Sequence, residues 1–345
     1  MKAPRIAGID FIYALLLPFI LITFGLLETA GGVHDVLHNE YHLVFDSAFA
    51  LFLFMNGLTT ALAAGSGMNV WNLQVYLFKK GLIFLVIAIP LSFISISNPF
   101  MLLAALSIVS SVLIVFTTSI ISFTLSAIVL YGAYSALFTE VRLDLLIQAP
   151  GYLPSQVIQY PLKTSYYAFL PWASFYLAGV LVSRLEFIRR ASSILHLIVG
   201  IAALLLGLLI GFMTEVRSIV MFNKSILPQG LRLFMISFPG FFIAIMGLSI
   251  VLTDFNNWAT TRFQNLASKP GIRHLSKSKY SVMLLYILLF LASNALFGAA
   301  TQSWVRLGVS VGIAGLVILP YFLFSKSKFF LLNPVERVVR LVTGS

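Results

Sequence analysis

The sequence predicts an all-α fold, a polytopic integral membrane helix bundle of about ten transmembrane helices, and three observations carry that prediction. First, 60% of the 345 residues are hydrophobic and only 10% are charged, whereas soluble domains hold about 45–50% apolar and about 25% charged residues. That much apolar surface has to face lipid or neighbouring spans. Second, apolar stretches long enough to cross a bilayer recur along the whole chain. Third, the lysines and arginines are distributed unevenly between alternate connections. The net charge of +11 does not indicate nucleic acid, because no dense basic run with interleaved aromatics occurs. With no cysteine, disulfides, thiolate nucleophiles and cysteine metal sites are excluded.

The N-terminal Met1-Lys2-Ala3-Pro4-Arg5 is basic and precedes an apolar stretch from Phe11 to Leu27. That stretch exceeds the roughly 7–15 residues of a signal-peptide core, and no A-x-A-like site closes it. It reads as a retained first span. Candidate spans lie at 11–30, 43–64, 81–97, 99–116, 119–138, 165–183, 193–213, 232–253, 280–299 and 305–324. Ser97-Asn98-Pro99 separates the third from the fourth, since Pro cannot continue a helix. Thr117-Thr118-Ser119 separates the fourth from the fifth.

Charge sets the orientation. With the N-terminus inside, sixteen of the 22 basic residues fall inside. They form clusters at Lys2/Arg5, Lys79/Lys80, Arg184/Arg189/Arg190, Arg262–Lys279, Lys326/Lys328 and Arg337/Arg340. Arg142, Lys163, Arg217, Lys224, Arg232 and Arg306 fall outside. This is the positive-inside asymmetry. It predicts an even span count, both termini in the cytoplasm, and a multi-pass protein of the cell (inner or plasma) membrane.

Two domains follow: a transmembrane bundle over 1–330 and a cytoplasmic amphipathic tail helix over 331–345. In the tail, Asn333 suits an N-cap, Pro334 the first helical turn, and Glu336 can close a capping box. Val335, Val338, Val339 and Val342 form one apolar stripe, as expected of a helix lying on the membrane surface. Outer loops 31–42 and 139–164 and the basic inner loop 254–279 are the long connections. No repeat and no soluble domain is evident.

The densest polar cluster is the first outer loop and the start of the second span: His34, Asp35, His38, Glu40, Tyr41, His42 and Asp46. His34, His38, His42 and Asp46 recur every fourth residue, so on a helix neighbouring members share a face. Three readings are open: an exposed polar loop, a catalytic imidazole supported by a carboxylate, or a metal site. No HExxH or cysteine pattern supports the last, and no metal is expected. Asp46 enters a span, where ionisable groups face a cavity and have a partner. Asp10 at the first span's mouth suits the helix dipole. Asn56-Gly57 within the second span suits close packing and interhelical hydrogen bonding. Asn294, His196 and Arg306 read as packing or interfacial residues. The inner basic loop either obeys the orientation rule or holds the phosphates of a cytoplasmic donor. No glycine-rich phosphate loop is present.

Arg5-Ile6-Ala7-Gly8-Ile9-Asp10 resembles the opening Arg-x-x-x-[Leu/Ile]-Asp of the transmembrane acyltransferase superfamily. Within it, the chain is most similar to the heparan-α-glucosaminide N-acetyltransferase-like family. His38-x-x-Tyr41 stands where that family has His-x-x-Trp. Asp46 then opens a span ending in Phe54-Met55-Asn56-Gly57, similar to Phe-x-x-Gly. Lys79-Lys80 opening the third span, Phe169-Leu170-Pro171-Trp172, Ser278-Lys279-Tyr280-Ser281 with Leu285-Tyr286, and Asn333-Pro334-Val335-Glu336 with Arg340 extend the likeness along the chain.

The resemblance implies transfer of an acetyl or short acyl group from cytoplasmic acyl-CoA to an extracytoplasmic saccharide or glycolipid. His38 would be the catalytic residue and Asp46 its supporter. Asp10, Lys79, Lys80, Arg273 and Lys279 would face the donor, and Tyr41, His42 and Asn56 the acceptor. The expected partners are the bilayer and the acceptor, with no nucleic acid; a homodimer is compatible. The bundle is expected to enclose a polar cavity open to both sides. Four departures stand out. Asp10-Phe11-Ile12-Tyr13-Ala14 replaces Asp-x-x-Arg-Gly. Phe24 falls where Asn or His is expected. The His38–Asp46 spacing is two residues short. Leu288 or Leu289 replaces a late histidine of the ninth span. A transporter or flippase for a lipid-linked or anionic substrate, with broken helices, and a non-catalytic membrane subunit are the alternatives.

Overall fold

A computed structural model describes residues 7–29, 48–60, 70–94, 98–116, 269–297, 303–323 and 333–343, with scattered helical positions between 173 and 206. The helices are α1 (Ala7–Thr29), α2 (Ala48–Thr60), α3 (Val70–Ile94), α4 (Pro99–Phe116), α5 (Pro270–Lys277), α6 (Lys279–Phe297), α7 (Ser303–Leu323) and α8 (Pro334–Thr343). No strand occurs among the described residues. Gly8–Gly25, Trp71–Ile94 and Lys279–Leu296 are long and apolar enough to cross a membrane. The chain is a helical membrane protein. It divides into two compact units: 1–3 with 53–248, and 4–52 with 249–345.

In the first unit, α3 and α4 form an antiparallel hairpin. Leu73, Leu77, Gly81, Phe84, Ala88 and Leu91 are buried, each three or four residues from the last, as one face of a helix requires. A Cβ at Gly81 would come within 2.6 Å of Ile108, so the glycine sets how closely the two helices approach. Phe78, Leu82, Val86, Ile89 and Phe93 form an exposed apolar stripe on α3. Such a stripe suits an apolar surrounding such as lipid. Gln74 Nε2 donates to the Ser111 carbonyl at 3.1 Å, closing the far end of the hairpin.

Asn98 clips the near end. Its Oδ1 accepts from the Phe100 N–H at 3.1 Å, capping α4 just ahead of Pro99. Its Nδ2 reaches back to the Ala88 carbonyl at 2.6 Å and to Ser92 Oγ at 2.9 Å. The helix boundary expected at Ser97-Asn98-Pro99 is therefore present, and one side chain joins both ends of it. The expected start of the third span is corrected. The helix begins at Val70, not at 81, and Lys79-Lys80 lie inside it. Val70–Phe78 contains no breaker, and a lysine mid-helix can extend its ammonium away from the apolar stem. At 25 residues, α3 is about 37 Å long, which exceeds a hydrocarbon core of about 30 Å.

In the second unit, α1 packs on α5, α6 and α7. Asp10 lies against Ser276, Tyr13 against Lys279, and Phe24 against Tyr286, so α1 and α6 run in the same direction. Gly271 meets Tyr321 and Phe322, whereas Ser310 meets Ile22, so α7 runs oppositely. The starts of α1 and α6 and the end of α7 thus share one end of the unit, and α8 docks there against α6. At mid-depth, Ser310 Oγ donates to the Ile22 carbonyl at 3.2 Å. With its proton so used, it accepts from the Tyr286 hydroxyl at 2.6 Å. A Cβ on Gly25 would collide with both oxygens. Glycine here is what lets three helices share one buried hydrogen-bonded node, a device suited to an interior without water.

The hairpin clip generates a prediction. Replacing Asn98→Ala removes the acceptor of the Phe100 N–H and the side chain that ties α4 to α3, costing about 1–3 kcal/mol. A lower thermal midpoint of the purified protein checks it, and an unchanged midpoint contradicts it.

Candidate functional site

The α8 end of the second unit is built around two buried carboxylates. Asp10 belongs to the first turn of α1, where the helix dipole favours a negative charge. It is buried, and its Oδ1 accepts a hydrogen bond from Ser276 Oγ at 2.7 Å. Ser276 is buried near the end of α5, a short helix that Pro270 begins. That helix stops at Ser278, whose N–H donates to the carbonyls of His274 at 3.0 Å and Leu275 at 3.2 Å. The chain turns there and α6 begins at Lys279. The interruption frees the first N–H groups of α6, which no carbonyl of their own helix can reach.

Glu336 takes them. Its Oε1 accepts from the N–H of Tyr280 at 2.8 Å and of Ser281 at 3.2 Å, and its Oε2 accepts from Ser281 Oγ. Ser281 Oγ in turn accepts from the N–H of Val335 at 3.1 Å. Two helix N-termini therefore satisfy one another, α6 through a carboxylate from α8 and α8 through a hydroxyl from α6. This corrects the capping box expected within the tail. Glu336 caps α6 rather than its own helix, and buried Asn333 Oδ1 accepts no hydrogen bond. Pro334 does open α8 as expected. The apolar stripe is also divided: Val335 and Val339 are buried, while Val338 and Val342 are exposed.

Lys279 is the third component. Its Nζ lies 3.2 Å from the centroid of the Tyr13 ring, 5.2 Å from that of Tyr280 and 5.6 Å from that of Phe52. An ammonium over an aromatic face is attracted by the negative charge of the ring's quadrupole. Tyr13 and Phe52 are themselves in edge contact, with centroids 5.5 Å apart. The sequence marked Lys279 as a donor ligand but gave no sign of this aromatic cage, because its members come from α1, α2 and α6.

The sequence-derived residues divide as follows. Asp10 and Lys279 are brought to one end of one unit. Arg273, on α5 in the same unit, is exposed. Lys79, Lys80 and Asn56 belong to the other unit. Lys80 Nζ lies 5.5 Å from the ring of Phe84, one turn on. Asn56 is buried, and its carbonyl accepts from Thr59 Oγ1 at 3.0 Å and Thr60 Oγ1 at 2.8 Å. Tyr176 donates to Thr60 Oγ1 at 3.0 Å. A Cβ at Gly179 would strike the Phe54 carbonyl, so that glycine allows close approach to α2. Phe24, at the position where Asn or His was expected, packs edge-on against Tyr286 with centroids 6.2 Å apart. His38, Tyr41, His42 and Asp46 lie outside the described residues.

Comparison of the chain with protein families, with curated proteins and with solved structures finds no match.

The Glu336 junction generates the second prediction. Glu336→Ala leaves two backbone N–H groups and a buried hydroxyl without their acceptor, at about 2–3 kcal/mol in total. Glu336→Gln, which keeps an oxygen for the two N–H groups, costs less than half of that. Denaturant titration of the protein in detergent measures the order of the three. Equal stability of Glu336→Ala and the unaltered chain contradicts the assignment.

Proposed function

We propose that the chain is a membrane acyltransferase of about ten spans with both termini in the cytoplasm of a cell-membrane protein. It moves an acetyl or short acyl group from cytoplasmic acyl-CoA to a saccharide or glycolipid on the other side. One observation carries the reading. The pattern that the first span resembles places an arginine three residues after its aspartate, and here that position is Tyr13. The ammonium of Lys279 lies over the Tyr13 ring, while Asp10 is buried one turn earlier. That puts a cation from α6 over the residue one turn after the first-span aspartate, the position at which the resembled pattern carries its arginine.

Further support comes from convergence. Asp10, the Ser278–Ser281 segment and the Asn333–Glu336 segment lie far apart in the chain. All three gather at one end of one unit, linked through Ser276 and Glu336. These are three of the segments on which the resemblance rests. In the reaction, the acceptor nitrogen or oxygen forms a bond to the thioester carbonyl carbon, the C–S bond breaks, and the CoA thiolate leaves. His38 takes the acceptor's proton, and Asp46 orients the imidazole. Lys279 contributes positive charge on the donor side, with the exposed Arg273 nearby in sequence. The transporter reading places charge near mid-span; Asp10, Lys279 and Glu336 instead lie in the first turns of their helices, and Lys79 and Lys80 inside α3 are the charges that reading would use.

The test is transfer from labelled acyl-CoA to a saccharide acceptor by the protein in proteoliposomes. His38→Ala reduces turnover by about 10²–10⁴-fold, as loss of a general base does. Lys279→Met reduces transfer at least ~10-fold, the loss of about 1.4 kcal/mol of transition-state stabilisation. Tyr13→Arg in the Lys279→Met background restores part of it. Transfer undiminished in both single variants, or net solute flux with no acyl donor present, overturns the proposal.

A further inference from the structure

We propose that α8 is a lipid-surface helix that recognises anionic phospholipid headgroups and seats its outer apolar edge in the bilayer boundary. At about 100° per residue, α8 presents three separate faces. Val335, Glu336 and Val339 are buried against the unit. Arg337 and Arg340, both exposed, follow on one flank. Val338, Leu341 and Val342 form the third face, and Leu341 is 82% exposed. The apolar face and the docking face are centred about 120° apart, so both cannot be covered by the same body.

Position says what covers the third face. Glu336 and Val335 hold the start of α8 to Tyr280 and Ser281, in the first turn of a helix that is apolar enough to cross a membrane. The junction therefore lies at the level where hydrocarbon gives way to headgroups. An apolar edge held at that level meets acyl chains, and arginines beside it meet phosphates, the arrangement of an interfacial helix. The only acid of α8, Glu336, is turned into the α6 junction, so the outward charge of the helix is purely positive. That favours an anionic leaflet over a zwitterionic one. This inference does not depend on the enzymatic reading.

The absence of cysteine allows a direct experiment. Leu341→Cys in the full chain carries one environment-sensitive fluorophore, and the protein is reconstituted into vesicles of phosphatidylcholine alone or mixed with phosphatidylglycerol. In the anionic vesicles the label is shielded from aqueous iodide and quenched by nitroxide-bearing lipid. In the Arg337→Gln, Arg340→Gln double variant the ratio of embedded to aqueous label falls by up to about 30-fold, the factor two such charges supply near an anionic surface. Lysine at both positions restores the shielding, which separates charge from helix integrity. Three results overturn the proposal. They are equal iodide access in both vesicle types, shielding without quenching by the nitroxide lipid, and energy transfer between labels that marks a second copy as the cover.

Discussion

Backbone N–H groups in the first turn of a helix have no partner in that helix, and where the protein buries them, as at Tyr280 and Ser281, a side chain has to supply one. In α6 the exposure of those groups is forced, because the chain is interrupted at Ser278 immediately ahead of it. The Glu336 carboxylate closes the gap, bonding Tyr280, Ser281 and the Ser281 hydroxyl. The rest of the α8 end depends on this contact. It fixes the direction in which α6 leaves, and hence where Lys279 projects. It fixes the register of α8, and hence which side of that helix faces away from the unit.

The same principle recurs elsewhere. Asn98 bonds both helices of the α3–α4 hairpin. Ser310 collects a carbonyl from α1 and a hydroxyl from α6 at a point where Gly25 leaves room. In each case one short polar side chain serves two or three helices. Apolar packing alone gives membrane helices little preference for one neighbour over another, so such nodes select the partners. Asp10 with Ser276 is the version at the unit's end, and there the buried charge also makes the node a candidate for chemistry.

Much of this was legible in the chain, and the exceptions have physical reasons. Pro99–Phe116 has the bounds expected from hydropathy, because Pro99 marks its start unambiguously. The starts and ends of α1, α6 and α7 fall within a few residues of expectation for the same kind of reason, apolar runs bounded by polar ones. The start of α3 was misjudged by more than two turns. Lysines read as a boundary, yet a long ammonium stem on an exposed helix face need not end a helix. Glu336 was recognised as a capping acid, but spacing alone matches it to its own N-terminus. That it serves α6, more than fifty residues earlier, is a tertiary fact. The Lys279 cage was hidden for the same reason. The polar cluster from His34 to Asp46, on which the catalytic assignment rests, lies outside the described residues, so its reading still stands on the sequence.

In the proposed reading, Lys279 over Tyr13 supplies from α6 the positive charge that the resembled pattern carries on the first span. Whether it does so here depends on the α6–α8 junction keeping α6 in register. The most direct measurement is therefore a crosslink at that junction. Ser281→Cys and Val335→Cys, introduced together into a chain with no other cysteine, are oxidised in native membranes. Because the Ser281 hydroxyl and the Val335 N–H are hydrogen-bonded, the account predicts rapid intramolecular disulfide formation, reversed by reductant. Two free thiols persisting under oxidation in folded, membrane-embedded protein would contradict it.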